Sequence, residues 1–230
     1  MRQLKASCST PLFVHVLSKS SRGYHSDNQS IASNPTLPIK SYYPQEININ
    51  EAHRGTGLNA SRSFLYFAYG SNLMTKRIHI NNPSAVKKDI GKLNNFRLDF
   101  ITFTKRWQGA AATIVPTENS HVWGVVWEID NANLPDLDRQ EGVGDKMYFP
   151  LNVQVVTPGQ ERHLECRVYL QTNNPTEFVA PADLPQERRP SPLYLNTMVN
   201  GAIENGLPKE YVEFLKSVAH NGYVGQTDIG

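Results

Sequence analysis

The chain has 230 residues, 39% hydrophobic and 19% charged, with 10 Tyr, 9 Phe and 3 Trp, a composition that suits a folded globular protein and excludes wholesale disorder. Its longest apolar run falls far short of the roughly 18 residues that span a bilayer, so no membrane association through a transmembrane helix is expected. The net charge of +2 is concentrated early: residues 1–60 hold six Lys/Arg against three Asp/Glu and the remainder 17 against 18, which leaves no electrostatic footing for nucleic acid.

The first 60 residues are rich in Ser, Asn and Pro. No acidic residue precedes Asp27, whereas Arg2, Lys5, Lys19 and Arg22 are basic. Within this stretch PLFVHVLSKSSRGYHS supplies a short apolar segment, then Ser and Arg, then a cleavage neighbourhood around Arg22, Gly23 and Tyr24. That is the composition of an import sequence rather than of a fold. We expect residues 1–60 to be a disordered N-terminal extension serving as a mitochondrial presequence, the alternative being a plain extension on a cytoplasmic protein. A secretory signal fits less well, because Pro11 and His15 break the apolar region.

From Ser63 the texture changes. Strands are expected at about 64–69, 96–104, 111–115, 121–130, 146–157 and 163–171, several with the period-2 alternation of Phe96, Leu98 and Phe100. Six strands with short flanking helices predict a compact mixed α+β domain over 61–225, an arrangement that a closed barrel would suit. Cys166 alternates with Leu164 and Val168 and reads as a core thiol; two cysteines make neither a disulfide framework nor a metal cluster. A loop with five prolines, NNPTEFVAPADLPQERRPSP, leads to helices at 192–205 and 208–219, and residues 226–230 form a tail.

Two places carry chemistry. In FLYFAYGSNL an apolar strand runs into Tyr69, Gly70, Ser71 and Asn72, and LMTKRIHI follows as a helix that Ser71 or Asn72 would cap. Successive N–H groups in such a turn, with the helix N-terminus behind them, would suit a carboxylate or a developing oxyanion; an ordinary capped turn is the plainer alternative. The motif is not a phosphate loop, since no GxxxxGK[ST] or strand-borne GxGxxG is present.

In DNANLPDLDRQEGVGDKMY the residues Leu134, Leu137 and Glu141 fall on one face of a short helix that Gly142 closes, while Asp136, Asp138 and Arg139 are expected to look outward. An inward carboxylate is desolvated, and its pKa moves toward neutrality, where it can exchange protons. A frayed helix end reaching water, or an arginine partner, would be the alternative. Asp99 interrupts an apolar strand and is expected at the surface. His79, His121 and His163 lack the mutual spacing of a metal site.

Taken together, FLYFAYGSNL, RIHINNPSA, VWGVVWEI, LDRQEGV, Met147-Tyr148, CRVYL and AIENGLP identify the stretch from about Phe64 to Gly225 as similar to the γ-glutamylcyclotransferase family. The resemblance implies a mixed β-barrel, a homodimer, a small-molecule γ-glutamyl substrate and no metal or cofactor. It further implies cyclisation of a γ-glutamyl amino acid to 5-oxoproline, with Glu141 as catalytic acid/base. By the same resemblance Tyr66, Phe67, Ala68, Tyr69, Gly70, Ser71 and Tyr194 bind substrate, and Tyr148 walls the pocket. Related cyclotransferases acting on glutathione or γ-glutamyl-lysine, or a catalytically silent binding protein of the same fold, are the alternatives.

Overall fold

The computed structural model describes residues 62–159 and 162–225. The presequence expectation and the tail at 226–230 lie outside the described residues.

The apolar run Ser63–Ala68 forms β1, paired antiparallel with the long β3 (Gly109–Asp130) from Ser63↔Asp130 to Ala68↔Val125. β2 (Val86–Thr104) and β3 make one bent hairpin, and β4 (Tyr148–Val156) with β5 (His163–Gln171) makes another. The strands close in the order β1-β3-β2-β4-β5, with β1 and β5 meeting in parallel at Tyr66↔Arg167. Closure leaves no free edge, and that single parallel seam makes the barrel mixed, as the resemblance implies.

The barrel has five strands where six were expected. The predicted 111–115 and 121–130 are one strand: Phe96 pairs with Pro116 and Asn94 with His121, so Thr117 to Ser120 bulge opposite Asn95 without ending the pairing. The first half of β2, VKKDIGKLNN, was not anticipated. Its Lys87, Lys88 and Asn94 are exposed and its Asp89 and Lys92 half-buried, and it is held by register with β3 rather than by a strong alternation of its own.

Around the barrel stand α1 (Thr75–Ile78), α2 (Leu134–Gln140), α3 (Pro192–Glu204) and α4 (Lys209–Lys216). Phe67, Phe100, Ile114, Trp127 and Ile129 fill the barrel core, joined by Met198 and Leu215 from the last two helices. Each large apolar side chain so buried contributes about 1.5–3 kcal/mol. Cys166 is 1% exposed and burial pushes its thiol up to about 12, which makes it the inert core thiol expected.

Asp99 is not at the surface. It is 3% exposed, pairs with Arg97 at 3.2 Å and with Arg188, and accepts the Phe100 N–H at 2.8 Å. Arg188 also donates to the Phe100 carbonyl, while Arg97 donates to the carbonyls of Pro175 and Glu177. These bonds tie the proline-rich loop to β2. The Arg189 carbonyl takes the Ala110 N–H at 3.0 Å, and Ser191 caps α3 by accepting from the Tyr194 N–H at 3.2 Å. The proline-rich loop therefore delivers Tyr194 to a fixed place.

Candidate active site

The two chemistry-bearing segments meet at one end of the barrel. A cavity of about 220 Å³ is lined by Tyr66, Tyr69, Gly70, Ser71 and Asn72 from the β1 turn, Gln140 and Glu141 from the end of α2, and Tyr148 and Tyr194. Arg77, Arg106 and Trp107 complete a further wall.

α2 ends where its sequence says it should. Gly142 takes φ +65°, the Val143 N–H bonds the Asp138 carbonyl and the Gly142 N–H bonds the Arg139 carbonyl, a closure that needs a left-handed residue after the helix. Glu141, the last residue before that reversal, is half-buried and faces the cavity.

Its neighbours set its chemistry. Removal from water raises the Glu141 carboxyl to about 7; Arg77 opposes the rise, Asp138 adds to it, and the Tyr66 hydroxyl opposes it as a hydrogen-bond partner. A carboxyl at that value gains and loses a proton at neutral pH. Tyr66 and Tyr69 are pushed well above the ordinary phenol range, first by burial and then by Glu141, and stay neutral donors.

The turn differs from expectation in two respects. Neither Ser71 nor Asn72 caps a helix: Ser71–Leu73 form a 3-10 turn, Met74 precedes α1, and the first N–H of α1, that of Thr75, is met from α3 by Glu204 Oε2 at 3.4 Å. With only four residues, α1 is too short for its N-terminus to act as an anion site. The side chain of Asn72 turns into the cavity instead, where its Nδ2 donates to Tyr66 Oη at 3.2 Å and to Glu141 Oε1 at 3.4 Å. Gln140 Nε2 donates to Asn72 Oδ1 at 3.2 Å, which fixes the amide's orientation, and Trp127 Nε1 donates to the Asn72 carbonyl at 3.0 Å. Asn72 is thus a positioning residue for Glu141.

Six of the eight expected site residues, Glu141, Tyr66, Tyr69, Gly70, Ser71 and Tyr194, line the cavity, and so does Tyr148. Phe67 and Ala68 do not: both are fully buried in the barrel core. Asp138 is partly exposed but tied to β5, taking hydrogen bonds from Arg167 at 2.7 Å and from Tyr169 Oη at 2.5 Å. His79 bonds the Ala85 carbonyl, and among the described residues no group of His, Cys, Asp or Glu is arranged to hold a metal ion.

Tyr194 Oη accepts the Ala112 N–H at 3.1 Å, and its ring lies 4.8 Å from that of Trp107. Tyr194→Phe keeps the ring but leaves a buried N–H unmet. We expect a stability loss of about 1–3 kcal/mol in urea unfolding, with a higher KM; an unchanged unfolding curve would show that Ala112 has another partner.

Comparison with known proteins points the same way. Residues 121–215 match the model of the AIG2-like family. A γ-glutamylcyclotransferase of Mus musculus is 43% identical over 180 residues, covering 76% of this chain and 88% of that protein. One of Homo sapiens is 45% identical over 168 residues, covering 71% and 83%. A solved γ-glutamyl cyclotransferase structure superposes with TM-score 0.65 at 42% identity, covering 72% of this chain and 94% of that one.

Proposed function

The chain belongs to the γ-glutamylcyclotransferase family of enzymes, and from that membership we propose that it converts γ-glutamyl amino acids to 5-oxoproline and the free amino acid. The observation that carries the mechanism is the Glu141 carboxyl, held at about 7 in a cavity walled by the Tyr69–Asn72 turn.

In this reading the α-ammonium gives a proton to Glu141, and the freed amine attacks the γ-carbonyl carbon of the same molecule. A C–N bond forms and charge moves onto the carbonyl oxygen, beside the turn. Glu141 then returns the proton to the leaving nitrogen as the original amide C–N bond breaks, and the ring nitrogen's remaining extra proton passes to the freed amine, leaving a lactam N–H and an ammonium. Nucleophile and electrophile share one chain, so the cavity's further task is to hold the γ-glutamyl group folded in attack geometry. The neutral phenols of Tyr66 and Tyr69 suit that task by giving bulk without charge, the Tyr69 hydroxyl being itself held by the Tyr169 carbonyl at 2.6 Å.

The test is direct. Purified protein supplied with γ-glutamyl-alanine, glutathione and γ-glutamyl-lysine should release 5-oxoproline from γ-glutamyl-alanine. Release from glutathione or γ-glutamyl-lysine alone would reassign the substrate, and release from none would overturn the activity. On this reading the enzyme serves γ-glutamyl and glutathione metabolism, and the homodimer that the family resemblance implies is the state sedimentation should find; a monomer would overturn it.

For residues 1–60 we propose mitochondrial import, supported by Arg2, Lys5, Lys19 and Arg22 before the first acidic residue. A fusion of these residues to a fluorescent protein should colocalise with mitochondria; a diffuse cytosolic signal would count against import.

A further inference from the structure

In the cavity it shares with Glu141 lies a cation that closes no ion pair among the described residues. Arg77 is 5% exposed, lines the cavity, and its Nε has no hydrogen-bond partner. Among the ion pairs of the described residues none includes Arg77 or Glu141. The guanidinium lies over the Trp107 ring, with Cζ 5.6 Å from its centroid. Burial pulls the Arg77 pKa down and Arg106, the other cation at the cavity, pulls the same way, while Glu141 and Tyr194 oppose them. A buried cation left in this condition is costly unless an anion arrives to meet it.

We propose that Arg77 binds the α-carboxylate of the γ-glutamyl group and so fixes which molecules the enzyme accepts, an assignment that rests on the reaction proposed above. The attacking amine and the α-carboxylate sit on one carbon, so an amine delivered to Glu141 brings the carboxylate with it. Arg77 and Glu141 are close enough for each to shift the other's proton equilibrium, yet no ion pair closes between them. The gap accepts a zwitterionic amino-acid head, with its ammonium toward the glutamate and its carboxylate toward the arginine. Stacking on Trp107 keeps the planar fork oriented, and a guanidinium fork matches a carboxylate bidentately. Arg106, exposed at the same cavity, is the cation left for the second carboxylate, on the leaving amino acid.

Three compounds separate these roles when release of alanine or ethylamine is followed. γ-Glutamyl-alanine carries both carboxylates, γ-glutamyl-ethylamide lacks that of the leaving group, and 4-aminobutyryl-alanine lacks the α-carboxylate. Arg77→Met keeps the stem and removes the charge; it should lose about 100-fold in kcat/KM, chiefly through KM, on the first two compounds alike and little on the third. Arg77→Lys should recover part of the loss. Calorimetric titration of γ-glutamyl-alanine into Glu141→Gln, with and without Arg77→Met, should show the same weakening without turnover. Loss confined to γ-glutamyl-alanine, equal loss on all three compounds, or no loss would each overturn the assignment. A wild-type protein that forms no 5-oxoproline from the first two compounds would instead overturn the activity itself, and the assignment with it.

Discussion

Glu141→Gln is expected to lower kcat for γ-glutamyl-alanine by about 1,000-fold, within the range set by loss of a positioned acid/base, while KM changes little. The amide is nearly isosteric and can still accept from Asn72 Nδ2, which now lies 3.4 Å from Glu141 Oε1. It cannot take a proton from the attacking amine or return one to the leaving nitrogen. Steady-state release of 5-oxoproline measures the effect, and wild-type turnover by the variant would remove Glu141 from the mechanism.

The same carboxyl predicts two pH profiles. Activity needs the ionised form as base, so kcat/KM should rise as pH passes through about 7, where Glu141 titrates, and Glu141→Gln should lose that inflexion. Stability runs the other way. A glutamate in the unfolded chain ionises near 4.3, by order of magnitude, whereas the folded one, desolvated, holds its proton up to about 7. Between those values the folded state binds more protons than the unfolded state, so wild-type stability falls as pH rises through the window. The Gln variant is spared that fall. Its melting temperature should exceed the wild type's at pH 8 and converge with it toward pH 4, a reversal of what loss of a stabilising ion pair would give. The solvent-open cavity makes this difference smaller than full burial would.

Much of this site is written in local sequence. An apolar strand breaking into Tyr69-Gly70-Ser71-Asn72, and a Leu134–Leu137–Glu141 face closed by Gly142, are short-range patterns, and the structure realises both. What local pattern could not supply is everything that depends on closure. Arg77 and Trp107 lie on α1 and on the β2–β3 turn, and they meet only because the barrel brings those two ends together. Asn72 reads as a cap because small polar residues before a helix usually cap it; Gln140 and Tyr66, contributed by other elements, turn its amide elsewhere. Asp99 and Asp138 read as surface acids because Arg188, which joins the local Arg97 on Asp99, and Arg167, which pairs Asp138, are supplied by segments far along the chain.

Gly201→Ala tests whether that tertiary placement governs catalysis, and we expect it to lower kcat by about 10- to 100-fold without touching a residue of the cavity. In a helix interior the change should help, since Ala is favoured over Gly by about 1 kcal/mol. At this position α3 lies directly on the turn: a Cβ on Gly201 would sit 2.4 Å from the Met74 nitrogen and 2.5 Å from the Leu73 carbonyl carbon. Those are backbone atoms with no rotamer to escape into. Overpacking of this kind costs about 1–3 kcal/mol, which exceeds the propensity gain, so the variant should also melt lower. α3 and the turn are further joined by Asn205 Nδ2, which donates to the Leu73 carbonyl at 2.7 Å and to the Gly201 carbonyl at 3.2 Å. A displaced Leu73 carries Asn72 with it, and Asn72 is what holds the Glu141 carboxylate in place. The pH inflexion of kcat/KM should therefore move together with kcat, an outcome that simple destabilisation would not produce. Gly144→Ala is the control, because nothing lies within 4 Å of its added Cβ. Full activity and an unmoved inflexion in Gly201→Ala would mean that the turn tolerates the shift and that α3 merely covers the site.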